Sequence, residues 1–211
     1  MRNFSLADKF FIEFDEAINT LSGKVNHRAE TPGKDFQDDK LDQKAREESG
    51  RLLRVNHCGE ICAQALYRGQ RLSSKSEKTK EFMKEAASEE TKHLGWCEKR
   101  LSELNTKPSI LNPFFYATSF FAGLVVGART DKYSLGFTAE TERQVMAHLN
   151  KHISSLPSDD KKSRAILEQM RLDEESHKDS AIERGGAELP RSTKILMTLL
   201  SKVMTKTTYW M

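Results

Sequence analysis

The chain has 211 residues, of which 37% are hydrophobic and 31% charged. This balance excludes a disordered protein and a polytopic membrane protein, and the length suits one domain with short additions. Only five prolines and eleven glycines interrupt the chain, so the composition predicts an all-α fold.

The net charge of +3 is unevenly distributed. Residues 191–211 contain four basic side chains and no acidic one, and such a tail indicates an anionic partner, either phospholipid or nucleic acid. The chain has three cysteines, an odd number that argues against a disulfide framework. Acidic residues near the N-terminus are atypical of a secretory signal, so we expect a reducing, cytoplasmic compartment.

The first predicted element is an amphipathic helix, because apolar residues recur there at helical spacing. They are Leu6, Phe10, Phe11, Phe14, Ala17, Ile18 and Leu21. A polar stretch from residue 24 to about 48 follows and indicates a linker. We therefore assign residues 1–45 to an N-terminal helix and linker, and residues 46–211 to the main domain.

The main domain is predicted to contain four long helices, separated by polar or proline-containing turns. Their expected ranges are 44–72, 77–104, 136–156 and 160–184. Ser74, with Glu77 three residues later, predicts a capping box at the start of the second. An apolar segment, 114–128, lies between the two helix pairs, and an amphipathic helix, 192–211, ends the chain.

Two of these helices carry a Glu-x-x-His pair on their apolar face. Glu90 and His93 continue the stripe of Phe82 and Ala86, and Glu174 and His177 repeat the arrangement near the C-terminus. Buried carboxylates without a compensating charge are costly, so two such pairs are not expected by chance. A divalent metal ion would supply that charge.

The preceding helix of each pair supplies one more inward-facing acid, Glu60 or Glu142. In an antiparallel hairpin, residues equidistant from the turn face each other. Glu60 and Glu90 are equally far along the chain from the first turn, and Glu142 and Glu174 are equally far from the second. The two members of each pair are therefore level with each other, about 22 Å from their turn.

Two such hairpins form a four-helix bundle with four carboxylates and two imidazoles at its centre. This donor set favours a dinuclear iron or manganese site over zinc. The predicted metal ligands are Glu60, Glu90, His93, Glu142, Glu174 and His177, and no further catalytic residue is predicted.

Several nearby side chains could compete for these roles. Helical phase argues against Glu89 and Glu175 as ligands, whereas Glu140 is less cleanly excluded because it lies near a predicted helix start. His148 and His152 are one turn apart, and for His148 an indirect role beside the metal ligands is favoured over ligation.

The apolar segment and the last helix indicate contact with a membrane. Fifteen helical residues span about 22 Å, less than the roughly 30 Å of the hydrocarbon layer, so segment 114–128 is not predicted to cross it. The last helix combines an apolar face with lysines and ends in Tyr209 and Trp210, as interfacial helices do. Packing of this helix on the bundle is the alternative. We expect an anionic membrane surface as partner and no nucleic acid.

Five motifs resemble the Coq7 family of di-iron demethoxyubiquinone hydroxylases. They are RVNHCGE at 54–60, EETKHLGWCEKRL at 89–101, SLGFTAETE at 134–142, DEESH at 173–177 and GGAELP at 185–190. The resemblance covers about residues 50–211 and implies a ferritin-like fold with a di-iron centre. It places the family's ligands on the same six positions that the spacing selects.

The resemblance also implies a function. The expected reaction is O2-dependent hydroxylation of the ring of 2-polyprenyl-3-methyl-6-methoxy-1,4-benzoquinone in ubiquinone synthesis, with two iron ions per chain and an external reductant for which NADH is a candidate. Expected partners are the polyprenyl quinone and other ubiquinone-biosynthesis proteins, and the expected location is the cytoplasmic side of the cell membrane, as a peripheral protein. The alternative is a ferritin-like protein that oxidises and stores iron or scavenges peroxide.

Overall fold

The computed structural model describes residues 5–23, 30–37 and 41–211, and every regular element within them is an α-helix. The helices are α1 (Leu6–Leu21), α2 (Gln43–Ser73), α3 (Glu77–Glu103), α4 (Asn112–Gly127), α5 (Asp131–Ser155), α6 (Lys161–Glu183) and α7 (Arg191–Thr208). The predicted all-α fold is therefore confirmed. None of the described helices combines the length and apolar character needed to cross a bilayer, as predicted for the segment at α4.

Helices α2, α3, α5 and α6 form a four-helix bundle. A single apolar core cluster includes Leu53 of α2, Leu101 of α3, Leu149 of α5 and Met170 of α6. Burial of large apolar side chains from all four helices in one cluster supplies the main driving force for their association. The bundle is the ferritin-like arrangement that was predicted.

Contacts between α3 and α6 set the register of the two hairpins. At one end, the fully buried Arg100 guanidinium donates to Ser163 Oγ and Asp160 Oδ1, each at 2.8 Å. Further along, Cys97 Sγ lies 4.0 Å from Met170 Sδ. Because a buried ion pair tolerates little displacement, these contacts fix the alignment of the helices that carry the two Glu-x-x-His pairs.

One predicted helix cap and one predicted helix start are corrected. Ser76 is the N-cap of α3 and accepts a hydrogen bond from the Thr79 backbone N–H, whereas Ser74 is the C-cap of α2. The predicted capping box at Ser74 is therefore wrong, since a serine next to the helix start satisfies the free N–H groups first. Helix α5 begins five residues before its predicted start, where Thr130 caps it.

The predicted linker is only partly described, since residues 24–29 and 38–40 lie outside the described residues. Within the described part, Leu41 is buried, and Gly33 adopts a positive φ of 73° against α6. A Cβ at Gly33 would lie 2.9 Å from the Cβ of Ala165. The division of the chain at residue 45 stays a prediction.

Helix α4 lies against α2 at unusually close range because glycines form the crossing. A Cβ at Gly69 would approach Phe120 O to 2.3 Å, and one at Gly123 would approach Leu66 O to 2.2 Å. Any larger residue would have to separate two helix backbones, which cannot move as a flexible side chain can. The glycines therefore allow the apolar helix to rest directly on the bundle.

We expect Gly123→Ala to lower the free energy of unfolding by about 1–3 kcal/mol, because the new methyl group overpacks the crossing. Gly59→Ala is the matched control on α2, where a Cβ meets nothing within 4 Å. Higher helix propensity should raise the stability of that control by up to about 1 kcal/mol. Denaturant unfolding of both variants measures the difference, and equal stability changes would contradict the close crossing.

Candidate metal centre

The six predicted ligands meet at the centre of the bundle. Helices α2 and α3 contribute Glu60, Glu90 and His93, and helices α5 and α6 contribute Glu142, Glu174 and His177. All six are buried, with exposed fractions between 1% and 5%. The matched spacing from the two turns therefore corresponds to real proximity.

The six side chains form two overlapping groups, each with donor atoms within 4.8 Å of one another. The first group contains Glu60, Glu90, His93 and Glu174, and the second contains Glu90, Glu142, Glu174 and His177. Glu90 and Glu174 belong to both groups. Each hairpin thus contributes one carboxylate in a position to bridge two metal ions.

Both histidine rings turn the same nitrogen towards the cluster. His93 Nδ1 lies 3.2 Å from Glu90 Oε2 and 3.2 Å from Glu174 Oε1. His177 Nδ1 lies 3.1 Å from Glu174 Oε2 and 3.5 Å from Glu90 Oε1. In each ring, Nδ1 is therefore the atom that would ligate a metal.

The outer ring nitrogens are held by two acids that the sequence reasoning did not assign. His93 Nε2 lies 3.0 Å from Asp173 Oδ2, and His177 Nε2 is hydrogen-bonded to Glu89 Oε2. Each acid directly precedes a Glu-x-x-His motif and reaches the histidine of the other motif. Such contacts orient an imidazole and favour the tautomer whose inner nitrogen can bind metal. The sequence signal that could have identified these two residues is the acid directly before each Glu-x-x-His motif.

The other competing residues lie outside the cluster. Glu140 is bound by Arg143 at 2.6 Å and by Gln144 at 2.8 Å, and Glu175 lies 3.5 Å from Arg171. Because α5 starts before residue 136, Glu140 lies well inside a helix and its phase directs it away from Glu142.

The histidine pair on α5 is likewise occupied elsewhere. His148 Nε2 lies 2.8 Å from Ser201 Oγ of α7, and His152 Nδ1 lies 2.9 Å from Asn56 Oδ1 of α2. Both rings are therefore engaged between helices and are absent from the two candidate metal-binding groups found among the described residues.

Burial of so many carboxylates disturbs their protonation. Desolvation, together with the neighbouring charge of Glu90, raises the pKa of Glu60 well above its usual value. Desolvation and the charge of Glu174 do the same to the pKa of Glu142. Burial alone would lower the pKa of His177, but hydrogen bonds to Glu174 and Glu90 raise it to about 12. These shifts favour the protonated forms of Glu60, Glu142 and His177.

The donor set fits a pair of hard divalent ions. Among the described residues, both carboxylate oxygens of Glu142 are buried without a hydrogen bond. Such acceptors are costly unless a cation meets them. Four carboxylates and two imidazoles suit iron or manganese, whereas zinc sites are smaller and richer in sulfur.

An apolar cavity of about 410 Å³ reaches the cluster from one side. Glu60 is part of its wall, and the remaining lining comes from α2, α4, α5 and α7. Phe114, Leu200 and Val203 line this cavity and are also exposed by 62%, 61% and 56%. These three side chains therefore form a rim where the cavity opens between α4 and α7.

The bundle and its buried cluster define an all-helical protein of the ferritin-like class, with side chains suited to metal binding at its centre. The sequence profile of a family described as "Ubiquinone biosynthesis protein COQ7" matches residues 47–208. The chain belongs to the COQ7 family, and the resemblance that its five motifs carry is confirmed.

Relatives match over almost their entire length. A 3-demethoxyubiquinol 3-hydroxylase of Dechloromonas aromatica is 50% identical over 202 residues, which cover 96% of this chain and 98% of the relative. The proteins of the same name in Azotobacter vinelandii and Acinetobacter baylyi are 49% and 48% identical. These matches cover 99% and 100% of this chain and 97% and 100% of the respective relatives.

We expect Glu142→Ala to bind fewer iron ions per chain than the unchanged protein, because it removes two buried donor atoms from one group. Glu140→Ala is the matched control, since Glu140 is also a buried acid of α5 but lies outside the cluster. Anaerobic loading followed by metal analysis measures the difference. Full iron content in Glu142→Ala, with loss in Glu140→Ala, would overturn the ligand assignment.

We also expect metal affinity to rise with pH. The pKa values of Glu60, Glu142 and His177 are all raised, which favours their protonated forms. Metal binding requires their deprotonated forms and must release those protons. Calorimetric titration with Fe²⁺ in two buffers of different ionisation enthalpy measures the release. Binding without proton release, or affinity that is flat with pH, would contradict the raised pKa values.

Proposed function

We propose that this chain hydroxylates the ring of demethoxyubiquinol, the reduced form of 2-polyprenyl-3-methyl-6-methoxy-1,4-benzoquinone, in ubiquinone biosynthesis. Family membership and the names of its relatives support this reaction. The structural observation that carries the proposal is the apolar cavity with Glu60 in its wall. This cavity is a space suited to an apolar ring, and it adjoins the candidate metal centre.

Two iron ions are the proposed cofactor. One would be held by Glu60 and His93, the other by Glu142 and His177, with Glu90 and Glu174 shared between them. When bound, the iron pair supplies the activation of O2 and the transfer of an oxygen atom to the ring. Asp173 and Glu89 keep both imidazoles oriented by holding their outer nitrogens.

The cavity wall positions the ring and excludes water. It is mostly apolar, and its polar groups include Asn56, Gln144 and His148. These groups can meet ring oxygens, while the apolar remainder accommodates the methyl group and the start of the polyprenyl tail. His148 is held in place by Ser201. A dry, shaped cavity limits the loss of oxidising power to water.

The open rim suggests how a polyprenyl substrate arrives. Apolar residues exposed on α4 and α7 flank the rim, among them Phe121, Leu196 and Leu199. We infer that these helices rest on the cytoplasmic surface of the cell membrane as a peripheral attachment. Lys202 and Lys206 would add attraction to anionic lipid, whereas Lys194 is paired with Glu188 at 3.0 Å.

The electrons must come from outside the site. No strand occurs among residues 5–23, 30–37 and 41–211, so the described chain offers no βαβ unit for a dinucleotide. An external reductant is therefore proposed, with NADH as the candidate that the resemblance implies. Other proteins of ubiquinone biosynthesis are proposed as partners on the same grounds.

We expect Gly59→Leu to lower kcat/KM for the quinol by at least about tenfold, because its side chain would occupy the cavity beside Glu60. Gly59 lines the cavity, and a Cβ there meets nothing within 4 Å. Iron content and the rate of O2-dependent iron oxidation should stay unchanged. The assay follows the hydroxylated product with ¹⁸O-labelled O2 and a short-tailed substrate.

The same assay separates the two candidate functions. A protein devoted to iron oxidation or storage would show rapid iron oxidation and no hydroxylated quinol, and the cavity variant would not alter its rate. Hydroxylated product carrying oxygen from water instead of O2 would also contradict the proposed reaction.

A further inference from the structure

Trp96 lies against one of the six candidate metal ligands. The centre of its indole ring is 5.2 Å from the centre of the His93 ring, and the two ring planes are tilted by 40°. Trp96 follows His93 by three residues on α3, so both side chains lie on the same side of this helix. The inner nitrogen of His93 faces Glu90 and Glu174. A single imidazole therefore separates the indole from the candidate metal centre.

Hydrogen bonding does not explain a tryptophan at this position. Trp96 is buried, and its Nε1–H has no hydrogen-bond partner among the described residues. A buried indole usually finds an acceptor for this group, and leaving the group unpaired is costly. A phenyl ring would fill apolar space without that cost. The property that distinguishes an indole here is that it gives up an electron far more readily than a phenyl ring does.

Trp96 approaches the cluster away from the substrate cavity. The described lining of the cavity comes from α2, α4, α5 and α7, and it includes no residue of α3 or α6. On the side of α3 and α6, Asp173 contacts the outer nitrogen of His93, and the Asp173 side chain is 34% exposed. This side of the cluster is therefore close to solvent, where an external reductant can approach without entering the cavity.

Two oxidisable sulfur atoms lie in the same core cluster as Trp96. Cys97 and Met170 are fully buried in this cluster, and their sulfur atoms are 4.0 Å apart. Oxidation of a buried methionine to its sulfoxide places a polar group in the core and disrupts its packing. These side chains are at risk whenever an oxidant formed at the centre is not consumed by substrate. An electron donor in contact with a metal ligand can remove that oxidant first.

We propose that Trp96 supplies single electrons to the metal centre through His93 when O2 is activated without a bound quinol, and thereby protects the buried sulfur atoms. One electron leaves the indole ring system and reduces the oxidised centre, which leaves an indole radical cation. No bond forms or breaks, and the proton stays on Nε1 because no described group accepts a hydrogen bond from it. An external one-electron reductant then returns the electron to Trp96. This inference rests on the proposed function, because activation of O2 at the cluster supplies the oxidant.

The main test detects the radical in the iron-loaded full chain. Reduced protein is mixed with O2 in the absence of quinol, frozen rapidly and measured by electron paramagnetic resonance. We expect an organic radical whose spectrum narrows when the tryptophan rings are deuterated, because hyperfine coupling to the ring protons is then lost. Trp96→Phe should lose this signal. Trp210→Phe is the matched control and should keep it, since Trp210 is 65% exposed and lies against Arg51.

The control also assigns the radical without any change at Trp96. The chain has two tryptophans, so deuterated Trp210→Phe contains Trp96 as its single labelled tryptophan. Absence of a radical that responds to deuteration in this variant, or the same radical in Trp96→Phe, would overturn the proposal.

A second measurement follows the damage that Trp96 prevents. The protein is kept with iron, O2 and a chemical reductant but without quinol, and its peptides are analysed by mass spectrometry. Met170 sulfoxide should accumulate faster in Trp96→Phe than in the unchanged protein or in Trp210→Phe. Equal oxidation of Met170 in all three proteins would contradict the protective role.

Measurements with a short-tailed quinol separate this proposal from the proposed function. If the unchanged protein forms the Trp96 radical but no hydroxylated quinol, the proposed function fails and the role of Trp96 stands. If the protein hydroxylates the quinol but forms no such radical in its absence, only the role of Trp96 fails. Bound quinol should suppress the radical, because the substrate then consumes the oxidant, and an undiminished signal would overturn the protective role.

Discussion

Electrostatic repulsion among buried carboxylates is the constraint on which the rest of this structure depends. Glu60, Glu90, Glu142 and Glu174 lie together where water cannot screen them, and the two imidazoles between them can balance only part of their charge. Such a cluster persists only if protons or cations compensate for it and if the helices that carry it are held rigidly. The long paired helices, the buried Arg100 network and the apolar core around them supply that rigidity.

The side chains in and around the cluster have two different roles, binding and orientation. Inner atoms of the carboxylates and imidazoles converge on the centre, while Asp173 and Glu89 hold the outer ring nitrogens from the opposite helix. Each Glu-x-x-His motif is thus oriented by the residue that precedes its counterpart. Because this exchange connects α3 with α6, metal binding and hairpin packing are expected to reinforce each other.

The outer helices α4 and α7 connect the buried cluster with the protein surface. Glycines bring α4 close to α2, and α7 is held to the bundle by the His148–Ser201 contact and by Arg51, whose guanidinium carbon lies 4.8 Å from the centre of the Trp210 ring. Between α4 and α7 the cavity extends from Glu60 to an exposed apolar rim. The cavity therefore connects the buried cluster with an exposed apolar rim, an arrangement that fits the proposed reaction.

The amino-acid sequence by itself determined the all-helical fold and the six side chains that meet at the centre. Helical periodicity and distance from a turn are local properties, and together they specify which residues face each other within a hairpin. Contacts between hairpins and outer helices do not follow from local spacing. Only the tertiary structure paired Asp173 with His93 and opened a cavity beside Glu60, because both depend on how separately formed helices pack side by side.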